Sequence, residues 1–428
     1  MLPSVRRFLS IGKVSNFAKV AYSTHDYSNV DVLTPGFINH LKINKSSSYS
    51  EDDYDKKVLE PRRISDSRTK CIIPLSTDEE KQLLYTSTTG SVRVGKILEV
   101  LDLMSVYVSM LHNREIDPAN PVMSLKGPST LPRNIVTASL YKMDILQSNL
   151  SSNRDIILEG YVGWAGRSSL DVALFVYQNN GKDSTDELVM RANFMMASRH
   201  PRETRAVRIH PLIAETEEDE QIIKLGEQSA LERKKDITRS LIRTYPTNEE
   251  FRLLHNNLLE SVKKSEGHVY QPELREDQAW ISDTKTEVQL ICHPENQNVY
   301  GKIFGGFIMK EALELAQLNA EMFCKERVRI IAMDDVKFSS PVEIGDFLHI
   351  TAFITNTKQH YMQVHAHAEV VCRKTYVKRT SNEFHFTMET VSEKPVREVF
   401  PRHYSHGTLW LDGHRHLEKA LTRNSKSH

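Results

Sequence analysis

One pattern occurs twice along this chain of 428 residues: an amphipathic helix followed by four strand-like runs. In the first half, Ile97, Leu101, Met104, Val108 and Leu111 fall at helical spacing over residues 92–112. Strand-like runs follow at 134–144, 154–165, 168–178 and 187–199. Apolar residues three and four apart line one helix face, whereas a period of two marks a half-buried strand. Leu170, Val172, Leu174 and Val176 alternate in this way with Asp171, Ala173, Phe175 and Tyr177, and Asn179-Asn180-Gly181 then signals a hairpin turn. In the second half a strand at 279–292 precedes a helix at 306–324, with strands at 328–339, 346–357, 361–374 and 380–391. Gly95 pairs with Gly306 at an offset of 306 − 95 = 211, and Asp155 with Asp346 at 346 − 155 = 191. The loop with Pro118, Pro121 and Pro128 supplies the surplus of 211 − 191 = 20 residues in the first half. The repeat predicts an α+β pseudo-dimer within one chain, the helix of each unit lying near the strands of the other.

The second helix is introduced by a glycine-rich turn, with Gly301, Gly305 and Gly306. Glycine permits backbone conformations and close approaches that a Cβ forbids. Ala312, Ala316 and Ala320 then recur four apart on one helix face, which lets the helix lie close to a sheet. Ile308, Leu315 and Phe323 widen that side, and Lys310, Glu314, Gln317 and Glu321 line the other. The first turn of such a helix has free N–H groups and a partial positive charge, suited to an anion or a polarised carbonyl oxygen.

Composition narrows the function. Lys+Arg and Asp+Glu both total 56, which argues against broad nucleic-acid binding. No run of about 18 apolar residues suggests a membrane span. Cys71, Cys292, Cys324 and Cys372 are too dispersed for a zinc or disulfide framework. Residues 1–24 contain Arg6, Arg7, Lys13 and Lys19, several serines and no acid, the composition of a mitochondrial transit peptide. The rest divides into a polar spacer at 25–70, a first domain at 71–213, a charged helical linker at 214–278, a second domain at 279–395 and a tail at 396–428. The tail is aromatic- and His-rich and is expected to pack back on a domain.

On the first helix, Asp102 has apolar Leu98 and Val106 four residues away on either side, with Glu99 on its face. A carboxyl among apolar groups is partly desolvated, which raises its pKa toward use as a base. Asn298 can either hydrogen-bond a water and a substrate carbonyl or serve the turn through its tolerance of left-handed backbone. His365 and His367, two apart on one strand, could ligate a metal, although a polar strand surface explains them as well.

Asn298-x-x-Gly301-x-x-x-Gly305-Gly306-x-x-Met309 resembles the signature of hotdog-fold acyl-CoA thioesterases, and the chain is similar to the mitochondrial acyl-CoA thioesterase 9 family. Further matches are Trp280-x-x-Asp283-Thr284, Cys292-His293-Pro294, Pro341–Asp346, Phe384-His385-Phe386, Gly95–Asp102, Ile135-Val136-Thr137-Ala138 and Gly166-Arg167-Ser168-Ser169. They keep their order over roughly residues 70–415. The resemblance implies two tandem hotdog units, each an antiparallel sheet wrapped round a long central helix. It implies acyl-CoA as substrate, a mitochondrial (matrix) location, a homo-oligomer of double-hotdog chains, and neither metal nor redox cofactor. It gives Asp102 the role of general base. Asn298 would orient the water, and the Gly306 amide would stabilise the oxyanion. Gly166, Arg167, Ser168 and Ser169 would contact the coenzyme A portion, with Lys358 as a second phosphate ligand at the matching turn of the second unit.

Neither half holds a complete set. At the offset of 211, Asp102 pairs with Leu313 and Asn298 with Ser87. Glu314 stands next to the missing acid, but Lys310 four residues before it points to a surface ion pair. One complete Asp/Asn pair therefore arises only across the two halves. A non-catalytic acyl-CoA-binding protein of the same fold is the alternative function. A hotdog dehydratase is disfavoured because neither helix has a His in its first turn.

Overall fold

The computed structural model describes residues 58–113, 133–147, 149–179, 186–201, 205–241, 243–263, 273–298 and 300–424. The segment expected to be a transit peptide, the proline-rich loop and the Asn180-Gly181 part of the hairpin signal lie outside the described residues. In chain order the elements of the first unit are β1 (Arg62–Arg63), β2 (Thr69–Ile73), α1 (Glu79–Tyr85) and α2 (Val94–His112). They continue with β3 (Asn134–Ile145), β4 (Ile156–Ala165), β5 (Ser169–Gln178), β6 (Glu187–Arg199), β7 (Leu212–Ile213) and α3 (Glu217–Arg239). After α4 (Asn248–Lys263) come β8 (Gln278–Trp280), β9 (Thr286–Ile291), α5 (Gly305–Cys324), β10 (Val328–Phe338) and β11 (Phe347–Lys358). The chain ends with β12 (Tyr361–Val371), β13 (Lys378–Thr390), β14 (Glu398–Phe400) and α6 (Tyr404–Asn424).

Ten strands form one antiparallel sheet in the order β2-β4-β5-β6-β3-β10-β13-β12-β11-β9. Read outward from the β3–β10 seam, each half is the mirror of the other in strand identity, so the pseudo-dimer closes by continuing its own sheet. In each unit the long helix lies on the inner face of its strands: α2 against β3–β6 and α5 against β9–β13. Ala312, Ala316 and Ala320 are all fully buried on that side, as their spacing requires. The two helices run antiparallel and touch through glycines. A Cβ on Gly95 would stand 2.9 Å from Lys310 Cγ, and one on Gly306 would stand 2.9 Å from the Glu99 Cα. One continuous apolar core spans both units.

The repeat reaches further than its sequence signal. β1 pairs in parallel with β7, and β8 with β14. Helices α3 and α6 each cover the outer face of their sheet. Gly226 of α3 sits against Trp164 and the Gly163 carbonyl of β4, and Gly413 of α6 against Thr355 of β11; by strand register Gly163 and Thr355 are equivalent, 355 − 163 = 192 apart. Hence α3, which reads as part of a 214–278 linker, holds the place that α6 holds in the second unit. Part of the 25–70 spacer is likewise built in: Arg62 and Ile64 are buried, and β2 begins at Thr69. The tail packs back as expected, through β14 and α6.

The strand read at 279–292 is broken. A 3-10 turn at Ile281–Thr284 carries the chain from the β14 pair to the main sheet. Thr284 fixes that step: its hydroxyl donates to the Ile281 carbonyl (2.8 Å) and accepts from the Ile354 amide (3.0 Å).

Candidate active site

Asp102 lies in the third turn of α2 among core residues and is 1% exposed. Its two carboxylate oxygens are held from different units. Thr137 of β3 donates its hydroxyl to Oδ1 at 2.6 Å. The backbone amide of Gly306, in the first turn of α5, donates to Oδ2 at 2.7 Å across 204 residues of sequence. Because the helices are antiparallel, the third turn of α2 meets the N-terminus of α5, where N–H groups lack intrahelical acceptors. Burial pushes the Asp102 carboxyl up to about 6, against the opposing pull of the Thr137 and Gly306 hydrogen bonds. A buried carboxylate kept within reach of neutral pH, with oriented oxygens, can take a proton from a bound water.

Gly305 and Gly306 are needed for two different approaches. A Cβ on Gly305 would stand 3.0 Å from Asp102 Oδ2, and one on Gly306 would strike the Phe304 ring at 2.5 Å. Asn298 sits in the turn before α5. Its Oδ1 accepts from the Tyr300 and Lys302 amides at 2.9 and 3.2 Å, so the carbonyl half of the side chain serves the turn. The equivalent turn of the first unit closes in the same way. Ser87 N bonds Ser91 O at 2.7 Å just as Asn298 N bonds Lys302 O at 2.7 Å, both 211 residues apart. The pairing of Asn298 with Ser87 is therefore structural as well as arithmetic.

The Gly166–Ser169 turn joins β4 to β5 at the same end of the sheet. Ser168 O accepts from Ser198 N at 2.9 Å, and Ser198 is in register with Ile135. The Ile135 amide in turn donates to the Tyr300 hydroxyl at 2.8 Å. One chain of contacts thus runs from the Arg167 turn to the Asn298 turn. In the sheet, Thr137 pairs with Met196 and Met196 with Leu170, so the serines lie about 10 Å from Thr137, two strand spacings away. Arg167 itself is exposed.

Several expectations are corrected. The Gly306 N–H, assigned to an oxyanion, is occupied by Asp102 Oδ2, and one hydrogen cannot point fully at two acceptors. Lys358, expected as a phosphate ligand, is paired to Glu418 of α6 at 2.6 Å. It is the last residue of β11, and strand register (Ala165 with Leu170, Thr357 with Met362) sets it at the counterpart of Gly166, beside the twin site where Leu313 stands. Glu314 pairs with Arg93 of the first unit rather than Lys310, which binds Glu99 (3.3 Å) and Glu311 (2.9 Å). His365 and His367 do not act together, since His367 lies near Glu369 and Glu383 instead.

Thr137 and Tyr300 were missed as functional residues. A threonine on a strand is unremarkable alone, but the repeat contained a signal. Thr137 is in register with Met196 and Ile330 with Met388, and 388 − 196 = 192 equates Thr137 with Ile330. The twin site thus replaces both the acid and its hydroxyl partner, Leu313 for Asp102 and Ile330 for Thr137.

A buried, doubly held acid at a helix N-terminus between two hotdog units is able to activate a water, and the sequence relatives are thioester hydrolases. The chain is 34% identical over 367 residues to mouse mitochondrial acyl-coenzyme A thioesterase 9, covering 86% of this chain and 81% of that protein. It is 33% identical over 359 residues to the human protein of that name, covering 84% and 79%. To the chloroplastic acyl-coenzyme A thioesterase 2 of Humulus lupulus it is 31% identical over 333 residues, covering 76% and 72%. The chain belongs to the acyl-coenzyme A thioesterase 9 family. No family model matches it. Among solved structures, an apo hexameric acyl-CoA thioesterase aligns with 34% of this chain and 96% of its own at 25% identity, TM-score 0.33. An acyl-CoA hydrolase from Agrobacterium tumefaciens aligns with 77% and 97% at 15% identity, TM-score 0.25.

Proposed function

We propose that this chain hydrolyses acyl-CoA thioesters, giving a carboxylic acid and the coenzyme A thiol, at the junction of Asp102 with the N-terminus of α5. Asp102 takes a proton from a water as the water oxygen bonds to the thioester carbon. The positive end of α5 faces the developing oxyanion. The Gly306 amide orients the base. The intermediate then collapses, the carbon–sulfur bond breaks, and Asp102 returns the proton to the departing thiolate. The NH2 half of Asn298 is the part left to hydrogen-bond water or thioester.

The observation that carries this reading is the pairing of Asp102 with Thr137 and Gly306, absent from the twin site. Asp102→Asn keeps the shape, since its NH2 can donate to the Thr137 oxygen and its carbonyl can accept from Gly306. In a thiol-release assay we expect kcat to fall roughly 10²–10⁴-fold with binding largely intact. A variant within threefold of wild type would remove Asp102 from the reaction.

The exposed Arg167 and the two hydroxyls after it suit the phosphates of coenzyme A. The names of the relatives support a mitochondrial location, within which we assign the matrix. Leu318 and Met322, exposed one turn apart on α5, support association of double-hotdog chains, which light scattering would test.

A further inference from the structure

The outer face of the second sheet, beneath α6, carries a second cluster that the chemistry above does not use. His365 of β12 and His385 of β13 face each other directly across the strand pair, with ring centroids 4.9 Å apart. Asp412 of α6 brings Oδ2 to 3.5 Å from His385 Nδ1. The ligand atoms of His365, His385 and Asp412 all lie within 4.8 Å of one another. His385 is only 7% exposed, and the Nδ1 atoms of both rings are buried with no hydrogen-bond partner in the protein. Burying a polar atom without a partner is unfavourable, so two such atoms in one cluster with a carboxylate call for a reason.

The first unit provides an internal comparison. At the equivalent positions stand Ala173 and Asn193, since 365 − 173 and 385 − 193 both equal 192 and each pair is in register. There the outer face closes on Asp171, which accepts from Tyr141 at 2.5 Å, Asn193 at 3.2 Å and Arg233 of α3 at 3.4 Å. That carboxylate is engaged by protein groups from β3, β6 and α3. Its counterpart under α6 leaves Nδ1 of His365 and of His385 without a hydrogen-bond partner.

We propose that His365, His385 and Asp412 bind a divalent transition-metal ion, Zn²⁺ by chemical class, as a clamp between α6 and the second sheet. Two imidazoles and a carboxylate form a nitrogen–oxygen set suited to zinc, with bonds of about 2.0–2.2 Å and ligand atoms about 3.3 Å apart. Small side-chain rotations bring the present spacing to that value. Burial drives both histidines below their ordinary pKa, which keeps the rings neutral and their lone pairs free near pH 7. His416 stacks on His385 at 3.8 Å and 14°, and its Nε2 stands 3.8 Å from the same Asp412 Oδ2, so it borders the site as a further imidazole. Of the nearby cations, Lys419 is already paired with Asp236 and Asp335. The clamp lies across the sheet from Asp102, because Val364, Phe384 and Phe386 point inward to the core.

The test uses the full chain stripped by a chelator and titrated with Zn²⁺ or Co²⁺. We expect one ion per chain to be lost from the stoichiometry in both His385→Ala and Asp412→Asn. The Kd at this site should rise by more than the roughly 10–100-fold that loss of a mere outer partner costs. Co²⁺ should give the visible bands of a tetrahedral site in wild type only, and Zn²⁺ should raise Tm in wild type but not in either variant. His367→Ala should bind as wild type does. If His385→Ala fails to fold, Asp412→Asn, on the half-exposed surface of α6, decides alone. Unchanged stoichiometry and Co²⁺ spectrum in Asp412→Asn would overturn the assignment, as would the absence of micromolar Zn²⁺ binding by wild type.

Discussion

Asp102 serves two opposed demands. Its burial raises the carboxyl to about 6, and the same burial makes its charged form costly to the fold. A carboxyl whose folded pKa lies above its unfolded value contributes stability that is complete below about pH 4 and lost as pH rises through 6. At pH 8 Asp102→Asn should therefore be more stable than wild type, by about 2–3 kcal/mol, while at pH 4 the two should unfold alike. Urea melts at the two pH values check this; equal differences at both would mean the carboxyl is not perturbed. Activity should rise with pH through about 6, as the base ionises. Thr137→Val removes the 2.6 Å hydrogen bond that favours the carboxylate. The acid limb of its pH–rate profile should move upward by up to about one unit. A limb that stays in place would separate Thr137 from the base.

At the scale of elements, the close approach of α2 and α5 fixes the site. Gly306→Ala would press a methyl into the Phe304 ring and the backbone of Glu99, groups on both helices. We expect a loss of about 1–3 kcal/mol with a fall in kcat, because the helix pair must separate where it holds Asp102. A thermal melt and thiol release measure both, and an unchanged Tm would mean the junction is loose. This level also marks what the sequence could carry. The strand and helix periods placed α2, α5 and the eight main strands closely, since each buries one face continuously. β1, β7, β8 and β14 are too short to show a period, and they pair in parallel with partners far along the chain. The role of α3 was hidden for another reason: a helix covering an outer face is polar on most sides, and its docking is made by Gly226 against Trp164 and by Arg233 on Asp171. At the site, Asp102 was legible from its apolar neighbours. The commitment of the Gly306 amide was not, because it depends on how two helices from distant segments cross. Asp412 meeting His365 was invisible for the same reason.

The whole molecule is a pseudo-dimer within one chain, and the function proposed above keeps one of its two sites and gives up the other. β3 and β10 continue a single sheet through its pseudo-twofold seam, and Arg423 of α6 fastens both edges, reaching Asp144 at 3.1 Å and Asp334 at 2.7 Å. Fusion lets the two sites diverge, so Leu313 and Ile330 can fill one with apolar side chains while the other keeps Asp102 and Thr137. The base then comes from the first unit, and the Asn298 turn and the α5 N-terminus come from the second unit of the same chain. Mixing Asp102→Asn chains with Asn298→Ala chains, refolded together to allow exchange, tests this arrangement most directly. If each site is completed within one chain, thiol release by the mixture equals the average of the two variants measured alone. Recovery toward a quarter or more of wild-type activity would mean that the pair forms between chains, and the single-chain site would be wrong.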